Sequence, residues 1–373
     1  MTKMLAVGLM SGTSLDGIDA ALIETDGAGH IRPIAFRSDP YSAQARDQLR
    51  EAAALALSFD RPRRSPKIVE AEKMLTNRHI LAVRQLLSSA GVGADHVDVV
   101  GFHGQTIAHR PDRGWTWQIG DGAAMARALG IRVVDDLRST DVAAGGQGAP
   151  LLPALHAAVF ADPAHARAIL NLGGIANLTL LAPGEPVLGF DTGPANCLLD
   201  AWAARHLGTA RDDGGAWARS GRSNEALVDD WLADPYFAAA PPKSTGREVF
   251  NLDWLLARLP AGVAPADVQA SLLGLSARSI AQALRAHATA PREVYACGGG
   301  VHNAALMDAL RRELPDMLVG TTAALGIDPD FVEAAGFAWL ARARLDGVPG
   351  NLPSVTGARG PRVLGAIHAG PRR

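Results

Sequence analysis

The sequence predicts a mixed α/β fold made of two domains, and three observations support this prediction. The chain has 373 residues, and at roughly 100–200 residues per domain this length indicates about two domains. Apolar residues make up 48% of the chain, which is enough to build a buried core. Strand and helix patterns alternate along the chain, and strands that stop at glycine-rich polar turns recur in both halves.

The charge composition excludes several classes of function. The chain carries 36 basic and 38 acidic residues, a net charge of −2, so no excess of positive charge favours nucleic acid or a membrane surface. No apolar run reaches the roughly 20 residues of a membrane span. Met4 to Met10 is short and soon meets Asp16 and Asp19, which favours a buried strand over a signal peptide. We expect a soluble, cytoplasmic protein.

The cysteine content is low. Cys197 and Cys297 are too few for a zinc site or for the disulfide framework of a secreted protein. A reduced pair is the simpler interpretation, and a single bridge between them stays open.

In the first half of the chain, apolar spacing and turn residues predict a series of elements. They are strands at Met4–Leu9 and Ile18–Thr25 around a turn at Ser11–Gly17, helices at Ala43–Leu57 and Pro66–Ala90 with Gly91 as a stop, a strand at Val97–Gly101 leading into His103–Thr106, a helix at Asp121–Leu129 and a strand at Ile131–Asp135. The glycine-rich segment Val142–Pro150 is predicted to cross between the domains.

The pattern then starts again in the second half. The predicted elements are strands at Ala168–Leu172, Leu178–Leu181 and Val187–Phe190, helices at Asn196–His206 and Val268–Ala288, a strand at Glu293–Ala296, and helices at Ala304–Leu314 and Asp330–Leu345.

Common nucleotide-binding motifs are absent from the sequence. There is no G-x-x-x-x-G-K-[ST], which excludes a P-loop enzyme, and the protein-kinase set and H-E-x-x-H are also missing. Gly298–Asn303 approaches G-x-G-x-x-G but lacks the last glycine, so a Rossmann fingerprint is disfavoured.

Three glycine-rich turns remain, at Gly12–Gly17, Asp191–Pro194 and Gly298–Asn303. Glycine lets backbone N–H groups approach a phosphate chain, and a helix N-terminus favours the same anion. Asp16 and Asp19 could hold Mg²⁺ directly or through its waters. Each turn alone also fits an ordinary hairpin or a strand-to-helix connection. Together they predict a nucleotide held between two domains.

At these residues the sequence resembles the anhydro-N-acetylmuramic acid kinases, which belong to the superfamily of sugar kinases, actin and heat-shock ATPases. The similarity runs almost end to end and in a consistent order. The segments that carry it are Gly8–Asp19, Phe102–Thr106, Gln118–Gly122, Asp136–Asp141, Ala144–Leu151, Asn171–Asn177, Gly189–Asn196, Pro241–Glu248, Tyr295–Asn303 and Glu333–Trp339.

The resemblance implies two RNase-H-like, actin-like ATPase domains around a central cleft. The first would be residues 1–135, rejoined by the C-terminal helix at about 330–373, and the second would be residues 136–329. It also implies ATP and Mg²⁺ as cofactors, a homodimer, and conversion of 1,6-anhydro-N-acetylmuramic acid to N-acetylmuramic acid 6-phosphate. Water would open the anhydro ring while the γ-phosphoryl group passes to O6, in the recycling of cell-wall peptidoglycan.

The site residues follow from the same resemblance, with Asp191 as the general base that deprotonates the water. The expected nucleotide-binding residues are Gly12, Thr13, Ser14, Leu15, Asp16, Gly17, Ile18, Asp19, Gly173, Gly193, Gly298, Gly299, Gly300 and Asn303. Arg138, Glu333 and His103 are expected to contact the sugar, and Lys243 could contact phosphate or sugar. No metal ligand is assigned.

Each assignment has a structural alternative. Asp191 could cap its turn by accepting the Gly193 amide. Arg138 could pair with Asp135 or Asp141, although a guanidinium also suits the lactyl carboxylate of the sugar.

The other polar candidates have similar alternatives. Glu333 could simply be a carboxylate favoured at a helix N-terminus. His103 could be a core histidine, and Lys243 a solvated loop lysine.

Two segments depart from the family pattern. Ala195 replaces the glycine of Asp-Thr-Gly-Pro-Gly-Asn, and Arg211–Gly215 replaces an aromatic-Asp-x-Asp-Gly stretch. Two other functions stay open. The first is a kinase for another N-acylhexosamine, and the second is an actin-like or chaperone-like ATPase with a protein partner.

Overall fold

The structure, a computed structural model, describes residues 2–286 and 291–370. The chain forms two compact units. The first contains the residues up to Val159 and those from Phe331 onward, and the second is Phe160–Asp330. Each unit has its own β-sheet and its own apolar core.

The strands are β1 (Met4–Ser11), β2 (Gly17–Thr25), β3 (Ile31–Pro40), β4 (Val99–Arg110), β5 (Trp115–Ile119), β6 (Arg132–Asp135), β7 (Arg167–Leu172), β8 (Ile175–Leu181), β9 (Leu188–Pro194), β10 (Glu293–Cys297), β11 (Leu318–Thr321) and β12 (Ala366–His368). The helices are α1 (Ala43–Leu57), α2 (Pro66–Ala90), α3 (Gly122–Leu129), α4 (Ser139–Ala143), α5 (Pro153–Phe160), α6 (Asn196–Leu207), α7 (Ala216–Ser220), α8 (Glu225–Leu232), α9 (Pro235–Ala238), α10 (Leu252–Leu256), α11 (Pro265–Ala286), α12 (Ala304–Glu313), α13 (Val332–Leu345) and α14 (Pro353–Thr356). Short 3-10 helices lie at Ala94–His96, Pro111–Arg113, Asp213–Gly215, Gly299–His302 and Thr322–Leu325.

The two sheets share one strand order. In the first unit the order is β12-β6-β4-β1-β2-β3, with β5 added to β4, and in the second it is β11-β10-β7-β8-β9. In both, the first three strands form an antiparallel meander, and the fourth pairs in parallel with the first. A further parallel strand follows in each, β6 or β11. This is the RNase-H-like order, so the predicted α/β class with two such units is confirmed.

The helix α2 follows its sequence signals from end to end. Pro66 occupies the first turn, where its missing N–H has no intrahelical partner to lose, and the Ser65 hydroxyl accepts the Ile68 amide. Gly91 ends the helix in the left-handed conformation at φ +65°. Its core face includes Leu75 and other apolar side chains that are fully buried. The predicted range is confirmed, as is that of α1.

Two glycines allow α13 to lie directly on the first sheet. A Cβ at Gly8 would overlap the Ala334 backbone, and one at Gly101 would overlap the Phe337 backbone. Any larger residue at these two strand positions would push the helix away from the sheet. The close approach sets the position of Glu333 in the first turn of α13.

Several strands extend beyond the sequence prediction. The strand β4 continues through His103 to Arg110 because β5 pairs with its second half, including Gln105 with Ile119. Similarly, Asp191–Pro194 is the end of strand β9, where Gly193 pairs with Ala176, rather than a free turn.

Other elements were missed or shifted. Four strands, β3, β5, β11 and β12, were not predicted, nor were α4, α5, α14 and the short helices between Ala216 and Leu256. The predicted helix Val268–Ala288 begins earlier, at Pro265, and is described to Ala286. Its last two predicted positions lie outside the described residues.

The boundary between the units also differs from the prediction. The glycine-rich segment Val142–Pro150 does not cross between the units, and the first unit continues past Asp135 as far as Val159. The buried carboxylate of Asp141 explains this, because it ties the segment to the C-terminal part of the same unit. It accepts the Gly148 amide (2.7 Å), the Asn351 side-chain amide (2.6 Å) and the Thr356 hydroxyl (2.8 Å).

Cys197 and Cys297 are free thiols and both are buried. Among the described residues, no helix has the length and apolar character that a membrane span would need.

Candidate active site

Buried polar side chains hold the turn between β1 and β2 in place. The Ser11 hydroxyl donates to the Gln105 side-chain oxygen (2.5 Å) and lies 2.8 Å from the Tyr41 hydroxyl. Gln105 in turn donates to the Gly12 carbonyl (3.2 Å). Leu15 adopts φ +59° and its amide donates to the same carbonyl, so the turn is tightly wound.

The predicted nucleotide-binding residues of this turn are not equivalent. The side chains of Leu15 and Ile18 belong to the apolar core, so only their backbone groups could face a ligand. Thr13 and Asp16 are exposed, whereas Gly12, Ser14, Gly17 and Asp19 are partly buried.

In the second unit, the predicted glycines meet around the start of α6. Gly173 and Gly174 form the two-residue turn between β7 and β8. The Asn196 side-chain amide donates to the Gly173 carbonyl (2.8 Å), and a Cβ on Gly300 would lie 2.8 Å from that same amide nitrogen. Gly298 has φ +80°, and a Cβ there would lie 3.2 Å from the Leu172 carbonyl oxygen. The structure therefore brings Gly173, Gly298 and Gly300 together.

The remaining predicted positions differ from one another. Gly299 is exposed, with open space where a Cβ would be. Gly193 has φ +140° in β9, and a Cβ there would lie 2.6 Å from the Phe237 ring. Asn303 caps α12 by accepting the Leu306 amide (3.1 Å), so its side chain has a structural partner.

Arg138 and His103 form a direct pair in the first unit. Arg138 donates from Nε (3.1 Å) and from Nη2 (3.0 Å) to His103 Nε2, and from Nη1 to the Gly148 carbonyl (2.7 Å). Burial, together with the neighbouring guanidinium, holds the pKa of His103 well below its usual value. The imidazole is therefore neutral and accepts hydrogen bonds through Nε2, and it orients the guanidinium.

Glu333 supplies the opposite charge to this pair. Burial lowers the pKa of Arg138 to about 10, and the nearby carboxylates of Glu333 and Asp141 oppose that shift. The alternative ion pair with Asp135 is not formed, since Asp135 bonds His368 (2.8 Å) and the Gly122 amide. Arg138, His103 and Glu333, predicted to contact the sugar, thus lie in one charged cluster.

Asp191 lies near the end of β9 and is partly buried. Its carboxylate accepts the Thr245 amide (3.0 Å) rather than the Gly193 amide of the capping alternative. Burial raises the pKa of Asp191 to about 7; Thr245 and the Lys243 ammonium lower it, while the Glu248 carboxylate raises it. A carboxyl group that is half ionised near neutral pH is suited to accept a proton during catalysis.

The segment from Tyr236 to Thr245 holds Asp191 in place. The Tyr236 hydroxyl donates to the Asp191 carbonyl (2.8 Å), and the Asp191 amide donates to the Lys243 carbonyl (3.1 Å). The Lys243 ammonium donates to the carbonyls of Tyr236 and Phe237, at 3.1 Å each, and lies 4.8 Å from the Tyr236 ring centroid. Lys243 is therefore a structural cation of this segment and not a solvated loop lysine.

Both departures from the family pattern are accommodated locally. Ala195 is fully buried, and its φ of −108° lies outside the positive-φ region that favours glycine. In the Arg211–Gly215 segment, Asp212 accepts the amides of Trp217 (2.8 Å) and Ala218 (2.9 Å). That carboxylate caps the start of α7.

Several residues of these clusters were not among the predicted site residues. Gln105, Thr245 and Arg247 stand in segments that carried the resemblance, but Tyr41 and Tyr236 do not. Thr245 lies in the Pro241–Glu248 segment, whose resemblance to the family could have drawn attention to it. Its contact is made by a backbone amide, however, and a residue type does not reveal such a contact.

The described residues contain no preformed metal cage. Within residues 2–286 and 291–370, no group of three or more His, Cys, Asp or Glu side chains is placed to hold an ion. Mg²⁺ commonly binds through one or two carboxylates, waters and substrate phosphates. The exposed Asp16 and the partly buried Asp19 beside the first turn fit that mode.

These features define a class of protein: two α/β units of RNase-H-like strand order, one with an arginine–histidine–glutamate cluster and the other with a carboxylate poised near neutral pH. A family model described as "Anhydro-N-acetylmuramic acid kinase" matches residues 4–370, and the chain belongs to that family. It is therefore an enzyme, a kinase that acts in sugar metabolism.

Relatives of the same description are similar over the full length. The chain is 58% identical to the anhydro-N-acetylmuramic acid kinase of Rhizorhabdus wittichii, covering 99% of this chain and 100% of that protein. It is 50% identical to that of Xanthomonas campestris, covering 98% and 97%. Among solved structures, it is similar to the activator of the 2-hydroxyisocaproyl-CoA dehydratase from Clostridium difficile with bound ADPNP, at a TM-score of 0.46 and 14% identity, covering 92% of this chain and 96% of that one.

Proposed function

We propose that the enzyme uses ATP and water to convert 1,6-anhydro-N-acetylmuramic acid to N-acetylmuramic acid 6-phosphate and ADP, as a step of peptidoglycan recycling. Family membership supports the sugar and the phosphoryl transfer. The observation that carries the ring-opening step is the Asp191 carboxylate, with a pKa of about 7 and a fixed orientation on the Thr245 amide.

In this mechanism Asp191 acts on the attacking water. Its ionised carboxylate takes a proton from the water while the water oxygen forms a bond to C1 of the sugar. The C1–O6 bond breaks, and O6 forms a bond to the γ-phosphorus as the bond to the β–γ bridging oxygen breaks. The anomeric carbon has oxocarbenium character during this step, so a neighbouring carboxylate also stabilises it. Base catalysis of this kind contributes about 10²–10⁴-fold.

Arg138 is the proposed partner of the lactyl carboxylate of the sugar. A guanidinium has five N–H donors, and its bonds to His103 and Gly148 use three of them. The others can pair with a carboxylate, and neutral His103 keeps the guanidinium in a fixed plane. Glu333 is the proposed acceptor for a hydroxyl or amide of the same sugar.

The glycine turns are the proposed nucleotide-binding elements, through backbone amides of Gly12–Asp19 and through Gly173, Gly193 and Gly298–Gly300. Asn303 would contribute by fixing the start of α12. Mg²⁺ would be held by Asp16 or Asp19 together with the phosphates, and when bound it neutralises charge on the phosphate chain. A homodimer in the cytoplasm completes the proposal, and light scattering of the purified enzyme tests the dimer.

The ring-opening step is tested by mass spectrometry of the product formed in ¹⁸O-labelled water. We expect one ¹⁸O atom at the anomeric hydroxyl and none on the phosphate. Because anomeric hydroxyls exchange slowly with water, N-acetylmuramic acid 6-phosphate incubated without enzyme is the control. If the product lacked ¹⁸O at the earliest time points, or if only the hydrated sugar were phosphorylated, the enzyme would be an ordinary N-acylhexosamine kinase. ATP hydrolysis without sugar would instead indicate an ATPase with a protein partner.

A further inference from the structure

The segment Lys243–Glu248 brings two cations to the end of the second sheet where Asp191 lies. Lys243 is engaged by the carbonyls of Tyr236 and Phe237 and by the Tyr236 ring. Arg247 is different: it is exposed, and its guanidinium lies against the turn between β7 and β8. A Cβ on Gly174 would lie 3.1 Å from both Nε and Nη2 of Arg247. Glycine at position 174 therefore leaves the room that the guanidinium occupies.

The backbone donors next to Arg247 are already bound. The Asn196 amide donates to the Gly173 carbonyl (3.2 Å), and the amides of Ala195 and Cys197 donate to the Gly174 carbonyl (3.0 Å each). The first amides of a helix commonly bind a phosphate, but at the start of α6 they hold the turn instead. The start of α6 therefore offers none of these three amides to a phosphate.

The charged groups at this end of the sheet leave Arg247 as the side chain that is available to a phosphate. Asp191 and Glu248 are carboxylates. The Lys243 ammonium is already engaged by two backbone carbonyls. Burial raises the pKa of the Cys197 thiol to about 12, and the charge of Arg247 opposes that shift, so this charge reaches the first turn of α6. A phosphoryl group beside the two carboxylates would be repelled without a cation, and Arg247 is placed to supply it.

We propose that Arg247 is a catalytic residue that contacts the transferring γ-phosphoryl group. It neutralises the charge on the non-bridging oxygens while the bond to O6 forms and the bond to the β–γ bridging oxygen breaks. No proton moves to or from the guanidinium, and no further reactant is needed. This inference rests on the proposed function, since it places the γ-phosphoryl group near Asp191 and the Gly173–Gly174 turn.

The test compares Arg247→Ala with a matched control, Arg292→Ala, which removes another exposed arginine of the same unit. An arginine that stabilises a phosphoryl-transfer transition state contributes about 10³–10⁵-fold. We expect Arg247→Ala to lower kcat at least about 10²-fold, with the KM for the sugar changed less than about threefold. Arg292→Ala should keep the wild-type kcat.

Rescue by a small molecule distinguishes direct contact from a structural role. Millimolar guanidinium chloride, far below denaturing concentration, should restore part of the kcat of Arg247→Ala and have no effect on Asp191→Asn. A kcat within threefold of wild type would overturn the proposal, and so would a loss that guanidinium does not rescue while the melting temperature is unchanged. Should Arg247→Ala melt early, Arg247→Gln takes its place in the same assay.

The two proposals fail differently. If wild-type enzyme does not phosphorylate the anhydro sugar, the proposed function is wrong, and phosphoryl transfer to the hydrated sugar still tests Arg247. If the wild type is active and Arg247→Ala is equally active, only the role of Arg247 is wrong.

Discussion

The two units share a strand order but place opposite kinds of chemistry on it. In the first, strand β4 carries His103, which is neutral and serves an arginine. In the second, strand β9 carries Asp191, held by a segment inserted between α6 and α11. Burial favours the neutral form of both groups, so it lowers the pKa of the histidine and raises that of the aspartate. In the second unit, the segment that follows α6, rather than the sheet that both units share, holds the candidate base.

Burial has different consequences for His103 and Asp191 at neutral pH. His103 starts from a pKa near 6.5, and lowering it leaves the ring neutral throughout the working range. The pKa of Asp191 is raised from 3.8 to about 7, so its charge changes near neutral pH. The first unit should therefore act independently of pH, and the pH dependence of the reaction should arise in the second.

The largest expected effect is that of Asp191→Asn. The amide oxygen can still accept the Thr245 N–H, but the side chain can no longer take a proton, so kcat should fall about 10²–10⁴-fold. Steady-state assays on the anhydro sugar measure this, and calorimetry should show nucleotide binding unchanged. Asp213→Asn, at an exposed position of the same unit, is the control. Wild-type kcat in Asp191→Asn would mean that the base lies elsewhere.

The first unit is tested by Arg138→Lys, which keeps the charge but loses the planar fork. We expect the KM for the anhydro-muramic sugar to rise about 10–100-fold, because a carboxylate pairs with both arms of a guanidinium. The matched comparison uses 1,6-anhydro-N-acetylglucosamine, which lacks the lactyl group. Arg138→Lys should reduce the preference of the enzyme for the muramic sugar over this analogue. An unchanged preference would remove the lactyl carboxylate as the partner of Arg138.

A smaller effect is expected on the pH profile of kcat/KM. The ionised form of Asp191 is required, so activity should rise with pH through about 7. The Lys243 charge lowers that pKa and the Glu248 charge raises it. Lys243→Met should therefore move the rising limb to higher pH and Glu248→Gln to lower pH, each by less than about one unit. If both substitutions moved the rising limb in the same direction, Asp191 would not be the group whose ionisation produces that limb.

The smallest expected effect is that of Ala195→Gly at the junction of β9 and α6. Ala195 is fully buried with an ordinary negative φ, so glycine adds backbone entropy to the unfolded chain and removes a packed methyl group. The free energy of unfolding should fall by about 0.5–1 kcal/mol, measured by urea denaturation. A gain in stability would instead mean that alanine strains this turn.

Much of the local structure could be predicted from the sequence. The range of α2 follows from Ser65, Pro66 and Gly91, because capping and helix termination depend on neighbouring residues. The strand-to-turn positions of Gly173 and Gly298 follow in the same way. The extension of β4 was not predicted, since it depends on pairing with β5, and the apolar–polar alternation of Trp115–Ile119 indicates a strand but not its partner. The boundary at Val159 was also missed, because the three bonds that Asp141 accepts come partly from residues some two hundred positions later.

For the candidate site, sequence alone determined which residue types are present and their order, and thereby the family. The predictions for Asp191, Arg138 and Glu333 rest on the resemblance of the motifs around them to that family. Only the tertiary structure decided that His103 accepts from Arg138, that a backbone amide of Thr245 holds Asp191, and that Arg247 lies on Gly174. The reason is physical: a pKa and a hydrogen bond depend on burial and on the position of distant segments, and neither is written in the identity of one residue.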